Sequence, residues 1–279
     1  MMLSSVLMLP HGAEIIPTPG TPYNEAFRPL HEAMERAGRE VAARKTDIVI
    51  LLTPHGFTLS DIYVVYMHER FQALFYNLNE SNTFGDIAAR ELWPGDRQTA
   101  ERLLAAMKQK AIPADGLIQG SPTYALTLGW GETVPLHYLV AGETPRAVIV
   151  SLPRKRYEGL AEMQNNLADL GRVLLDLAES YPGAVSIVVS ADMAHTHDAT
   201  GPYGFHESAD AFDHLVQQWA QKPTRGGLNE LLALQPTAKA CGMAGMCVLQ
   251  SIFESANLTC AHTAYAAPTY FGMMVAHWS

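Results

Sequence analysis

The chain is poor in cysteine, poor in positive charge, and without an apolar run long enough to cross a bilayer. Its three cysteines, Cys241, Cys247 and Cys260, are odd in number and crowded into the C-terminal quarter of 279 residues. That excludes a disulfide framework and fits a reducing cytoplasm. Lys and Arg number 19 against 28 Asp and Glu, a formal charge of -9. Such a balance argues against nucleic acid or an anionic membrane as partner. The local basic cluster Arg154-Lys155-Arg156 reads as a solvated loop, and no group of Arg and Lys marks a carboxylate- or phosphate-bearing ligand. Internal repeats and low-complexity linkers are absent from the sequence. Residues 1–10 are apolar but lack a basic flank and a cleavage pattern, so they read as a first strand.

What the chain does have is material for a large core: 48% of it is hydrophobic and 17% charged. Short apolar runs at residues 6–9, 48–52, 62–67, 147–152 and 185–189 are bounded by Pro, Gly, Asp or Ser. Their Ile and Val content predicts buried strands. Helical spacing alternates with them. It covers residues 24–44 (Phe27, Leu30, Met34 and Ala37 on one face), 100–110, 157–179 (Leu160, Met163, Leu167, Leu170, Leu174 and Leu177), 207–221 and 242–255. The alternation predicts an α/β fold, one domain over residues 1–279, with a mostly parallel central sheet covered by helices on both faces. Residues 83–131 read as loops around one helix or an insertion over the sheet edge, and 221–227 as a loop.

Three histidines sit just past strand-like runs. Residues 4–10 lead into Pro10-His11-Gly12, residues 47–53 into Pro54-His55-Gly56, and residues 184–190 into Ala191-Asp192-Met193-Ala194-His195. Aligned parallel strands would bring all three imidazoles to one carboxyl-end edge, where open α/β sheets build their sites. In the first two, proline ends the ladder and glycine permits a sharp turn, so each ring stands on a stiff corner. The matched pair predicts metal ligands. Asp192, His195, His197 and Asp198 make a dense polar cluster. His195 is the predicted acid–base residue; His197 reads as exposed. His31, His68, His214 and His262 read as unpartnered, and His137 and His277 as core residues.

Cys241 precedes Gly242-Met243-Ala244-Gly245-Met246, the pattern of a tightly packed helix start. A thiol there is expected to ionise more readily than usual and to serve as soft ligand or nucleophile. Cys247 and Cys260 lie in apolar stretches and read as small hydrophobes. The aromatic turn Gly201-Pro202-Tyr203-Gly204-Phe205-His206 reads equally as a pocket wall for a planar ligand or an ordinary packed loop.

The order of Pro10-His11-Gly12, Thr53-Pro54-His55, Glu132-Thr133-Val134-Pro135-Leu136, Ser190 to His195 and Gly201 to Phe205 resembles the class III extradiol ring-cleavage dioxygenases, the LigB-like superfamily, whose fold the Memo proteins share. The resemblance covers nearly the whole chain and is strongest from Ser190 to Asp213. It implies a non-haem Fe(II) centre at the sheet edge that opens a catechol-type aromatic with O2. His11 and His55 would be ligands, and His195 the acid–base residue beside the substrate. Where the ring-cleaving enzymes carry a glutamate ligand, this chain has Ala240-Cys241-Gly242, similar to the Memo pattern. Cys241 would then complete the ligand set, which admits copper or zinc beside iron. Trp130 stands where the family usually has a histidine, before the Val-Pro-Leu run; it can stack on a ring but cannot transfer a proton. Trp130, Asp192 and Tyr203 would line the substrate pocket. The expected activities are an extradiol dioxygenase, a Memo-like metal protein with a redox or binding role, or a zinc hydrolase. The expected partners are a small aromatic substrate and O2, with assembly into homo-oligomers and a cytoplasmic location.

Overall fold

A computed structural model describes residues 3–16, 24–78, 84–140 and 144–279. Residues 1 and 2 of the expected first strand, and residue 83 at the start of the irregular stretch, lie outside the described residues. In chain order come β1 (Leu3–Leu9), α1 (Arg28–Ala43), β2 (Ile48–Thr53), β3 (Tyr63–Tyr66), β4 (Arg70–Leu78), β5 (Phe84–Pro94) and α2 (Arg97–Gln109). Then follow β6 (Ala114–Leu117), β7 (Ala125–Thr127), α3 (Trp130–Tyr138), β8 (Arg146–Ser151), α4 (Leu160–Ser180) and β9 (Val185–Ser190). Three helices, α5 (Ser208–Gln221), α6 (Arg225–Ala238) and α7 (Met243–Phe253), precede β10 (Cys260–Ala266) and β11 (Met273–Trp278).

Eight strands form the main sheet in the order β10-β11-β1-β9-β2-β8-β3-β6. The central four, β1, β9, β2 and β8, are mutually parallel. β11 and β3 join them antiparallel, so the sheet is mixed around a parallel centre. β1, β9 and β2 are neighbours. The three loops that carry His11, His195 and His55 therefore leave the sheet side by side.

The central strands alternate their apolar side chains between two buried layers. Val6, Met8, Ile48, Ile50, Leu52, Val148 and Val150 face one layer with α4, α6 and α7; Leu7, Leu9, Val49, Leu51 and Ile149 face the other with α1 and α3. Both faces are covered, as the unbroken Ile/Val runs predict. α4 contributes Leu167, Leu170 and Leu174, all wholly buried. Each such leucine stabilises the fold by about 1.5–3 kcal/mol.

Local signals set the ends. The Asp96 carboxylate accepts from Thr99 N–H at 2.9 Å and caps α2, and the Thr224 hydroxyl accepts from Gly227 N–H at 3.1 Å and caps α6. α6 thus starts inside the stretch expected to be loop. It stops at Lys239, whose left-handed backbone (φ 56°) reverses the chain and returns Ala240 and Cys241 to the sheet edge. Of the two readings of residues 83–131, the one of simple loops around one helix does not hold. That stretch holds β5, α2, β6, β7 and the start of α3. β4, β5 and β7 make a separate three-stranded sheet. Among the described residues no helix is long and apolar enough to cross a membrane.

Candidate metal centre

His11 follows β1 and is buried, 2% exposed. Its Nδ1 lies 2.8 Å from the Ser190 hydroxyl, and that hydroxyl donates to the Gly131 carbonyl at 2.6 Å. The serine proton is therefore committed, so His11 Nδ1–H must donate to Ser190 Oγ. This leaves His11 Nε2 as a bare lone pair. Facing it are Asp192 Oδ2 at 3.0 Å and Cys241 Sγ at 3.3 Å. The ring of His55, after β2, packs edge-on at 4.8 Å between centroids.

The donors form two overlapping groups among the described residues. The ligand atoms of His11, His55 and Cys241 all lie within 4.8 Å of one another, and so do those of Asp192, His195 and Cys241. Burial pushes the His11 imidazole well below its ordinary range. The same cause, with the Arg156 and His195 charges behind it, brings His55 down to about 4. Both rings are thus neutral, as ligands must be. Burial pushes the Asp192 carboxyl well above its ordinary value. A set of lone pairs gathered this closely, with His11, Asp192 and Cys241 buried, needs a shared proton or a cation. Nitrogen, sulfur and carboxylate donors in this arrangement fit a transition-metal ion.

Cys241 departs from expectation in one respect. It lies ahead of α7, is 4% exposed, and accepts from Asp192 N–H at 3.4 Å. Burial, then the neighbouring Asp192 charge, pushes the thiol up. The helix dipole invoked from sequence acts only over the first turn and is outweighed by desolvation.

Residues 191–197 form no helix. Backbone bonds clamp this segment: Ala191 N–H to Leu9 O at 2.8 Å, Met193 N–H to Gly272 O at 2.8 Å, and His195 N–H to Ala238 O at 2.8 Å. The Asp192 carboxylate accepts from His11 N–H at 3.1 Å and ties the first strand exit to the third. His195 Nδ1 lies 2.8 Å from the Met193 carbonyl. A carbonyl only accepts, so Nδ1 carries the proton and Nε2 is free to take one. Phe271 stacks on this ring at 5.3 Å, with Tyr203 edge-on at 5.9 Å and Tyr270 at 6.1 Å. Trp130, 56% exposed, lies 5.6 Å from the His55 ring.

All seven residues singled out from sequence thus come together: His11, His55, Cys241, Asp192, His195, Trp130 and Tyr203. Others were missed. Arg156 was expected in a solvated loop, but it is buried. Its Nη1 donates to the Leu152 and Pro153 carbonyls at 3.1 and 2.7 Å; its Nη2 donates to the Pro54 carbonyl and to the Tyr157 hydroxyl. It pins the ends of β2 and β8 together beside His55. His197, expected exposed, has a largely buried ring whose Nε2 lies 2.8 Å from Asp213 Oδ2. That same oxygen accepts from Tyr265 at 2.7 Å, while Asp213 Oδ1 accepts from Ala194 N–H at 2.9 Å and steadies the His195 segment. His68 is not unpartnered either: it meets the Tyr124 carbonyl at 3.0 Å and accepts from Gln119 N–H at 2.9 Å. His31, His214 and His262 likewise pair, with Tyr138, Gln218 and Arg36. His277 is a core residue as expected, whereas His137 is half-buried against Glu91.

Glu132 is the most consequential omission. It was quoted only as part of a motif, yet it lies 1% exposed at the floor of a cavity beside His55. Its Oε1 accepts from the Tyr66 hydroxyl at 2.8 Å, and its Oε2 has no hydrogen-bond partner among the described residues. Burial pushes the carboxyl up to about 7; the Tyr66 hydroxyl and the nearby amides of Glu132 and Gly129 pull the other way. Gly56 makes room for this group. A Cβ there would stand 2.5 Å from the Tyr66 hydroxyl and 2.6 Å from Glu132 Oε1. No local sequence pattern marks Glu132 as buried; an acid in the first turn of a helix is ordinary.

An α/β sheet whose parallel centre brings nitrogen, sulfur and carboxylate donors to one edge defines a protein with a candidate metal centre. The particular family follows from comparison: the chain matches the catalytic LigB subunit of aromatic ring-opening dioxygenase over residues 5–276, and it belongs to that family. It is also similar to Protein CA_C1420 of Clostridium acetobutylicum, 18% identical over 216 residues, covering 76% of this chain and 44% of the relative. The chain therefore spans less than half the length of that curated relative.

Proposed function

We propose that this protein is a non-haem Fe(II)-dependent extradiol dioxygenase that opens a catechol-type ring with O2. The observation that carries the reading is the approach of His11, His55 and Cys241 donor atoms to within 4.8 Å of one another, in a chain of the ring-opening family. These three residues would hold the ion, with Asp192 against His11. Bound iron would supply a redox centre with open positions for a diol and O2.

The protein's own groups do the rest. His195 has its proton fixed on Nδ1 by the Met193 carbonyl, and burial keeps the ring neutral. Its free nitrogen can take a proton from a substrate hydroxyl and return it to the ring. Phe271, Tyr203 and Tyr270 hold this imidazole by its face and edges. Trp130 offers a flat surface beside His55 against which a planar substrate can lie.

The test is anaerobic loading with Fe(II), then exposure to O2 with a panel of catechols. Oxygen uptake with a yellow ring-fission product is expected, and silence across the panel overturns the proposal. Cys241 in the ligand set favours a second reading, a Memo-like centre with a redox or binding role and no ring cleavage. Elemental analysis of the as-purified protein and of Cys241→Ala separates the readings. Copper lost on substitution supports the second, zinc points to a hydrolase, and full metal retention in the variant removes the thiolate from the site.

A further inference from the structure

Two cavities flank the donor cluster. The larger, about 740 Å³, is lined by Tyr157, Tyr203, Gln235 and Lys239 among others. Its polar groups are only partly buried or exposed. The smaller, about 420 Å³, is bounded by His55, Phe57, Tyr66, Leu126, Thr127 and Glu132. It has the dimensions of a one-ring ligand and walls that are mostly apolar.

Three observations say what the smaller cavity takes. First, Glu132 lines a space large enough for a ligand, and its Oε2 is buried with no hydrogen-bond partner among the described residues. A buried acceptor without a donor is costly, and a ligand donor would recover that cost. Second, among the described residues neither Lys nor Arg lines the cavity to neutralise a carboxylate. The nearest buried cation, Arg156, spends its Nη hydrogens on three carbonyls and Tyr157. Third, glycines border the carboxyl where side chains would cover it: a Cβ on Gly129 would stand 3.3 Å from Oε2, and one on Gly56 would collide with Oε1.

We propose that this cavity binds a planar one-ring ligand through a hydrogen-bond donor, an ammonium or hydroxyl group on a one-carbon arm, that pairs with Glu132 Oε2, and that it rejects the corresponding carboxylate. Glu132 is thereby the specificity-determining residue on the His55 side of the centre. The inference rests on the ring-opening reading only for the aromatic nature of the ligand.

The experiment is isothermal titration calorimetry with 4-(aminomethyl)phenol, 4-(hydroxymethyl)phenol, 4-hydroxybenzoate and unsubstituted phenol. It is run on the as-purified protein and on chelator-treated protein. The two donor-bearing ligands should bind at least about tenfold more tightly than 4-hydroxybenzoate, the value of one charge-assisted hydrogen bond. Glu132→Gln should weaken 4-(aminomethyl)phenol about tenfold and leave phenol unchanged, so that phenol reports an intact cavity. Glu132→Asp serves if the glutamine variant fails to fold; it should weaken the preference without reversing it. Equal affinity for donor and carboxylate ligands, no binding of any, or a preference untouched by both substitutions overturns the proposal. The chelator-treated arm needs no metal, so failure of the metal or dioxygenase reading is distinguished from failure of this one.

Discussion

Ser190→Ala removes one oxygen and tests how His11 is aimed. In the protein Ser190 Oγ accepts from His11 Nδ1 at 2.8 Å and donates to Gly131 O at 2.6 Å. All of these groups are buried, so water cannot replace the hydroxyl. Alanine leaves a buried N–H and a buried C=O without partners. Each costs about 1–3 kcal/mol, so the expected loss of stability is about 2–6 kcal/mol. The imidazole also loses the contact that fixes its proton on Nδ1. Nε2 is then no longer guaranteed to be the bare nitrogen, and affinity for a divalent ion should fall about 10–100-fold. Urea unfolding measures the first effect, and competition with a fluorescent chelator measures the second. A variant that folds with unchanged metal affinity would refute the argument that the serine chain sets the His11 tautomer, whatever happens to stability.

Arg156→Met should destabilise the fold by about 2–4 kcal/mol, because three main-chain carbonyls lose their donor at the exits of β2 and β8; an unchanged melting temperature would contradict this. His197 gives a pH signature. The Asp213 carboxylate raises its pKa above the ordinary 6.5. The stabilisation from that pair is therefore complete below the unfolded value and is lost as pH rises through the folded one. The stability gap between the protein and His197→Gln, measured by urea unfolding, should shrink above pH 6.5. A constant or widening gap would show that the pair is not ionic.

Much of the scaffold was legible because the central strands are buried on both faces. Such strands read as unbroken Ile/Val runs, and all five expected runs became strands. The flanking elements were not legible for the same physical reason in reverse. β10 has half-exposed residues along its length and mixes Cys260, His262 and Thr263 with alanine, so it has no clean period. β4 and β5 pair in a second sheet whose residues include Gln72, Glu91 and Arg90, which suits a surface hairpin and resembles a loop in sequence. At the site, the strand-exit histidines were legible because Pro and Gly frame two of them. Glu132 and Arg156 were not. Burial of a charge is decided by distant partners such as Tyr66 and Pro54, and no local pattern records it.

Two of the candidate ligand atoms come from opposite ends of the chain: His11 and Cys241 are 230 positions apart. A ribosome releases them about 12–46 seconds apart, at roughly 5–20 residues per second. No nascent fragment short of Cys241 owns both. An ion held by this pair cannot template early folding; it can only lock a nearly finished molecule. Loss of the last fifth of the chain would abolish capture of the ion even where the first strands had already condensed.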